Sequence, residues 1–284
     1  MADPAPDDPT RLAYFVAGYW VFTMTGLLVF GPPWMRHCEL GHAVFYAISH
    51  LSVLRLNTPA GVGGPGWQMV RPPQMRLLGV FALVFLAVGS FDGLNETFWW
   101  LAQIDVNPLE FPGRSAVMGA TWMGLIGAIG AMLALFASVV WVGVRLSGVC
   151  VSFTYAFGAL GLTVLPIAFA YHVSHYLTSF MVSSQYLMAA LSDPFATGAD
   201  LLGIQPFRVT TGFFNNLETV KMIWLTQASL VVVGHVWSVL AAHCVALDVF
   251  GSNRRAFLAT LPLSMFMIGY TFLGLWLLAA PKGA

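Results

Sequence analysis

The sequence predicts an all-α fold, a polytopic bundle of about six transmembrane helices that makes residues 1–284 a single membrane domain. Three observations carry that expectation. Hydrophobic residues make up 58% of the chain and charged residues only 8%, where a soluble domain carries about 25% charged residues. Runs of about 20 mostly apolar residues, the length that crosses ~30 Å of hydrocarbon, recur about six times. Arginines and acidic residues alternate from one connecting segment to the next, as they do when loops face opposite sides of a membrane.

In chain order, the opening MADPAPDDPTRL is acidic and proline-rich. A secretory signal needs a basic start, so no cleaved leader is expected and the first span directs insertion. That span lies near Leu12–Phe30. Next comes RHCELGHAVFYAISHLSVLRL, in which Leu40, Val44, Ala47, Ile48, Leu51 and Leu54 recur at helical spacing opposite Glu39, His42, Ser49 and His50. The pattern predicts an interfacial amphipathic helix over about 36–55. The run NTPAGVGGPGWQ is a loop by its glycines and prolines.

Further spans follow near Leu77–Leu94, Ala116–Val144, Cys150–Phe180, Met222–Val249 and Ala256–Ala280, with an outer loop near 183–221. In the third span Ala120, Gly124 and Ala128, with Gly127 and Ala131, are spaced for close helix approach. In the fourth, Pro166 predicts a kink.

Twelve basic and twelve acidic residues cancel. With no basic stripe to hold phosphates, nucleic-acid binding is excluded. Cys38, Cys150 and Cys244 are odd in number and far apart, which predicts neither a disulfide nor a thiolate metal site. Arg36, Arg55, Arg71 and Arg76, then Arg145, then Arg254 and Arg255 mark cytoplasmic segments, which puts both termini outside.

Chemistry is to be sought where ionisable residues sit at membrane depth, since Asp there costs ~2.5–3.5 kcal/mol on insertion scales. Asp92 occupies the second span, His172 and His175 the fourth, and His235 and His243 the fifth. His172 and His175 share a helix face and can place two imidazoles on one ion. With Asp92 they form a candidate metal set, and His235 is an added ligand or base. The metal would be a divalent transition ion, zinc, copper or iron. Asp92 and His235 are the catalytic candidates. For each histidine the plainer reading is a side chain hydrogen-bonded to backbone or water.

His243 lies eight residues from His235, ~12 Å along a helix, too far to share an ion. Gln185 falls toward the same outer side as Asp92. Asp193 and Asp200 are expected to cap helices, hold a cation or stand in solvent. Hydrolase elbows, zincin helices, phosphate loops and dinucleotide fingerprints are absent from the sequence.

Seven stretches carry a family resemblance. They are DPAPDDPTRLAYFVAGYWVFTMTGLLVFG, VRPP at Val70–Pro73, FDGLNETFWWL, NPLEFPGRS, AYHVSHYLTSFMVSSQ, SDPFATGADLLG and GHVWSVLAAH. The chain resembles bacterial polytopic membrane proteins called fenitrothion-hydrolase-like. The resemblance implies a bacterial inner membrane and hydrolysis of an organophosphorus ester, with Asp92, His175, Gln185, Asp193, His235 and His243 on motif positions. Family members are longer, so it also implies upstream helices supplied by a second membrane polypeptide. Ala196 stands where the family pattern has glycine. Beside the metal-assisted hydrolase stands another class of function: a non-enzymatic subunit of a larger membrane complex, metal-binding, haem-binding or structural, or a transport component.

Overall fold

The computed structural model describes residue 5 and residues 8–55, 61–70, 77–110 and 113–282, with the Arg114 side chain left out. The predicted loop at 57–60, the VRPP segment beyond Val70, and Arg71 and Arg76 lie outside the described residues.

The first helix, α1, covers Pro9–Phe30. Asp8 starts it by accepting the amides of Thr10 and Arg11, and Pro9 sits in the first turn, where its missing amide costs nothing. Two short helices follow, α2 over Pro32–His37 and α3 over Leu40–Ser49. Trp34 of α2 lies over Gly26 and stacks on Phe30 at 5.5 Å. The Tyr19 hydroxyl donates to Glu39, the residue whose carboxylate caps α3. Otherwise α1 stands off the bundle, with only 6% of its most apolar stretch buried. A small hairpin pairs β1, Leu54–Arg55, with β2, Gly61–Val62, ahead of the single turn α4, Trp67–Val70.

The bundle proper starts with α5, Leu78–Asn95, and the short α6, Phe98–Gln103. It continues through α7, Arg114–Ser147, and α8, Phe153–Leu162. The remaining helices are α9, Leu165–Ser192, α10, Leu217–Phe250, and α11, Asn253–Ala279. Among the described residues six stretches are long and apolar enough to cross a membrane: α1, α5, α7, the run Phe153–Ser192, α10 and α11. The nearly all-helical fold and the number of spans match the sequence expectation.

Helix ends meet in two sets. At one end, where α5 and α11 finish, the Phe98 amide donates to the Pro281 carbonyl at 3.0 Å, and Lys282 pairs with Glu96 at 3.4 Å. At the other, Ala246, Phe250, Ala256 and Ala259 pack with Val144 and Val149. The core between them centres on Leu83, Leu86, Phe136, Ile167, Tyr171 and Met267.

Three close approaches hold this core together. A Cβ built on Gly79 would lie 2.5 Å from the Gly158 carbonyl oxygen, joining α5 to α8. One on Gly143 would lie 2.1 Å from the Ala259 carbonyl oxygen, joining α7 to α11, and one on Gly234 would lie 2.9 Å from that of Pro166, joining α10 to α9. Without water to drive association, such backbone contact is how membrane helices gain packing energy. The small residues predicted for α7 divide: Gly124 meets Phe91 and Trp100, whereas Gly127 has nothing within 4 Å.

Several boundaries need correction. The single helix expected over about 36–55 is instead α2 and α3, which end at Ser49 ahead of the β1 strand, and α10 starts at Leu217, within the expected outer loop. The fourth span is two helices broken at Thr163–Val164, because Pro166 in the first turn of α9 has no amide for the Leu162 carbonyl. And α9 runs on to Ser192, so the outer segment begins at Asp193 rather than near 183. Leu187, Met188, Ala189 and Ala190 are strong helix formers, and the helix stops where Asp193 precedes Pro194.

The glycine contacts predict a contrast. Gly143→Ala should force α7 off α11 and destabilise the protein by ~1–3 kcal/mol, the usual cost of overpacking. Gly127→Ala should be close to neutral. Thermal melts of both variants in the same detergent measure the difference.

Candidate functional site

Parallel α5 and α9 lie side by side, with Gly89 under His172 and Gly93 beside His175. Near the end of α5, Asp92 turns toward α9, and its Oδ2 lies 3.2 Å from His175 Nε2. The Tyr176 hydroxyl donates to the same oxygen at 2.5 Å. Burial is uneven: the His175 side chain is 5% exposed and that of Asp92 14%, while Tyr176 is 44% exposed. The pair is closed on the bundle side and half open at the Tyr176 edge.

With Nε2 bound to the carboxylate, the ring is oriented by it. A neutral imidazole then donates from Nε2 and keeps a lone pair on Nδ1. A buried carboxylate and an imidazole in contact form an acid–base unit, since either can hold the proton the other releases. Tyr171, one turn earlier on α9, stacks parallel to His175 at 5.8 Å, and its hydroxyl has no partner.

The other expected residues go elsewhere. His172 gives Nδ1 to the Ala168 carbonyl at 2.8 Å, and its ring stacks on Phe85 at 3.9 Å. His235 gives Nδ1 to the Val231 carbonyl at 2.7 Å and faces Tyr270 of α11, ring centres 6.4 Å apart. His243 lies two turns beyond it on α10, partly buried. The expected metal set of His172, His175, His235 and Asp92 is therefore not assembled. Among the described residues no group of three or more His, Cys, Asp or Glu side chains can hold an ion. Asp92 and His175 alone fall short of the three protein ligands of an open catalytic zinc site.

Gln185 and Asp193 build the outer segment. The Gln185 amide donates to the Thr210 carbonyl and accepts the Thr210 amide, both at 2.9 Å, which ties that segment to α9. Asp193 accepts the amides of Thr197 and Gly198, and Asp200 those of Ile204 and Gln205. These bonds hold the Asp193 carboxyl below the usual carboxylate range, the Thr197 amide contributing most.

Sequence reasoning missed Tyr176, Tyr171, Gly93, Ser90 and Tyr270. Only Tyr176 carried a visible signal, as a polar ring next to His175 at the end of a polar run. The comparisons add no relative: no family model matches the chain, and neither a curated protein nor a solved structure is similar to it.

Asp193 makes a pH-dependent prediction. Its carboxyl is depressed, so its hold on the turn is present above the ordinary carboxylate pKa of ~3.9 and is lost as pH falls through the depressed value. Amide protection factors at Thr197 and Gly198 should drop on acidification below that range and be low at every pH in Asp193→Ala.

Proposed function

We propose that the chain is a multi-pass protein of the bacterial inner membrane whose Asp92–His175 pair exchanges protons within the bilayer as part of a transport component. The observation that supports this is the 3.2 Å contact between the two, with Tyr176 on the same oxygen, inside spans otherwise apolar. An intramembrane carboxylate paired to an imidazole is the chemistry of a proton relay. In this reading α3 lies along the interface, and the exposed flank of α1 is where a second membrane polypeptide packs.

A second use of the pair has support of its own. The half-exposed Tyr176 edge gives a ligand access, and the family resemblance implies an organophosphorus ester. There His175, oriented by Asp92, would act as general base on the attacking water, without a metal. The donor set argues against the metal-assisted form of this reaction.

Two experiments test the proposal. With the termini outside, cysteine labelling from the outer face should modify a residue placed near Asp200 and spare one near Ser252; the reverse pattern removes the orientation. In vesicles carrying a pH-sensitive dye, Asp92→Asn should lower proton flux ~100-fold, at the low end of acid–base contributions. If flux is unchanged while release of p-nitrophenol from a phosphotriester is lost, the hydrolase reading replaces it.

A further inference from the structure

We propose that an anionic phospholipid of the surrounding membrane lays one acyl chain in a groove between α10 and the segment that carries the hairpin and α4, with its phosphate toward the arginines of that segment. This rests on the reading of the chain as membrane-spanning and is independent of what the Asp92–His175 pair does.

The groove has a volume of about 880 Å³, toward the upper end of the ~300–1,000 Å³ of ligand pockets. One wall is formed within residues 232–244 of α10, the other by Leu51, Val53, residues 64–67 and Val70. No charged side chain lines it. The second wall is built, not loose. The Trp67 indole donates to the Val53 carbonyl at 3.2 Å, and the Gln68 amide donates to the carbonyls of Ser52 at 2.8 Å and Leu54 at 3.1 Å. The two walls meet along their inner edge, where Leu51 and Met69 pack with Ala241 and a Cβ on Gly66 would lie 2.7 Å from Trp237 Nε1.

The open side identifies the occupant. Val232, Val233, Val236 and Leu240 are exposed on a helix long and apolar enough to cross a membrane. On such a face the surrounding medium is hydrocarbon, and an empty groove would forfeit the contacts of its lining. Val232 and Cys244 are 12 residues apart, about 18 Å along the helix, close to the ~15 Å of hydrocarbon in one leaflet. A groove of that length along a helix fits a single extended chain.

Charge selects the headgroup. In the sequence, residues 31–77 hold Arg36, Arg55, Arg71 and Arg76 against one carboxylate, Glu39, four positive charges to one negative. Arg55 belongs to β1, two residues after the wall residue Val53. On the α10 side the carboxylate is Asp248, one turn beyond Cys244, and Arg254 with Arg255 follows at the start of α11. Basic segments at a membrane surface attract anionic lipid, and a zwitterionic headgroup offers them no net charge.

The experiment uses the full chain in vesicles that contain phosphatidylglycerol or phosphatidylcholine with a diazirine on one acyl chain. Crosslinks from phosphatidylglycerol should concentrate on residues 64–70 and 232–244, at least fivefold above α1, whose apolar side chains are also exposed. Arg55→Gln should lower them at least threefold. Val236→Trp, which fills the groove from an exposed position, should do the same, and Leu28→Trp on α1 should not. A second readout needs no bulky variant. With Cys38→Ser and Cys150→Ser in place, phosphatidylglycerol added to the detergent-solubilised chain should slow alkylation of Cys244 by N-ethylmaleimide at least fivefold, and phosphatidylcholine should not. Crosslinks spread evenly over α1 and α10 would mean ordinary boundary lipid and sink the groove. Equal crosslinking or equal protection by the two lipids removes the headgroup preference and with it the proposal. A chain that does not float with the vesicles overturns the membrane reading as well.

Discussion

The fold depends on one constraint, that a polar group within the apolar helices is costly unless it finds a partner there. Most solve it locally. Ser90, Ser138, Thr260 and Thr271 each return a hydroxyl to the carbonyl one turn back. Histidines do the same: His37, His50, His172 and His235 each place Nδ1 on the carbonyl of the fourth residue before them. His175 breaks this pattern by reaching across to Asp92, 83 residues away. Removing one member of such a buried pair costs about 3–5 kcal/mol, so the contact fixes the register of α5 against α9 as well as the chemistry.

That register needs helices closer than side chains normally allow. Gly89 and Gly93 on α5 are four apart, and each leaves a socket for an α9 ring, His172 in the first and Tyr171 with His175 in the second. Gly79 against Gly158 sets the approach at the other end of α5, and Gly234 against Pro166 brings α10 close enough for His235 to face the interior. Site and packing thus share one cause. A methyl group at any of these glycines would widen a seam whose polar contacts span little more than 3 Å.

The spans were legible because apolar length is a strong signal, and the sequence grouped Asp92, His172 and His175 as one candidate set, of which the structure joins Asp92 and His175. What was illegible was direction. Helical spacing put His172 and His175 on one face, yet each ring settles where the opposing helix has room, and that is set by glycines on a helix 80 residues earlier. The break at Thr163 was legible to within three residues through Pro166. The extension of α9 was not, because Ser183, Ser184 and Gln185 read as loop while their neighbours favour helix. Tyr171 and Tyr270 were invisible for a simpler reason, since a tyrosine in an apolar run looks like packing until its hydroxyl is located.

The two sockets also decide which way the site opens. His172 fills the first and is sealed by the parallel Phe85 ring at 3.9 Å, so the α5–α9 seam is closed below Asp92 by an apolar stack. Beyond Asp92 this end of the bundle carries Tyr176, Asn95 bonded to Thr121 of α7, and the Glu96–Lys282 pair, all with polar atoms. The polar side of Asp92 therefore faces the end of the bundle where α5 and α11 finish, and at Phe85 the seam is filled by the ring stack. Beside Asp92, at Gly93, the absence of a side chain makes room for the Tyr171 hydroxyl next to the His175 ring. The plug at Phe85 and the socket at Gly93 are eight residues apart on one helix, and between them the Asp92–His175 pair is closed on the bundle side and open only at the Tyr176 edge.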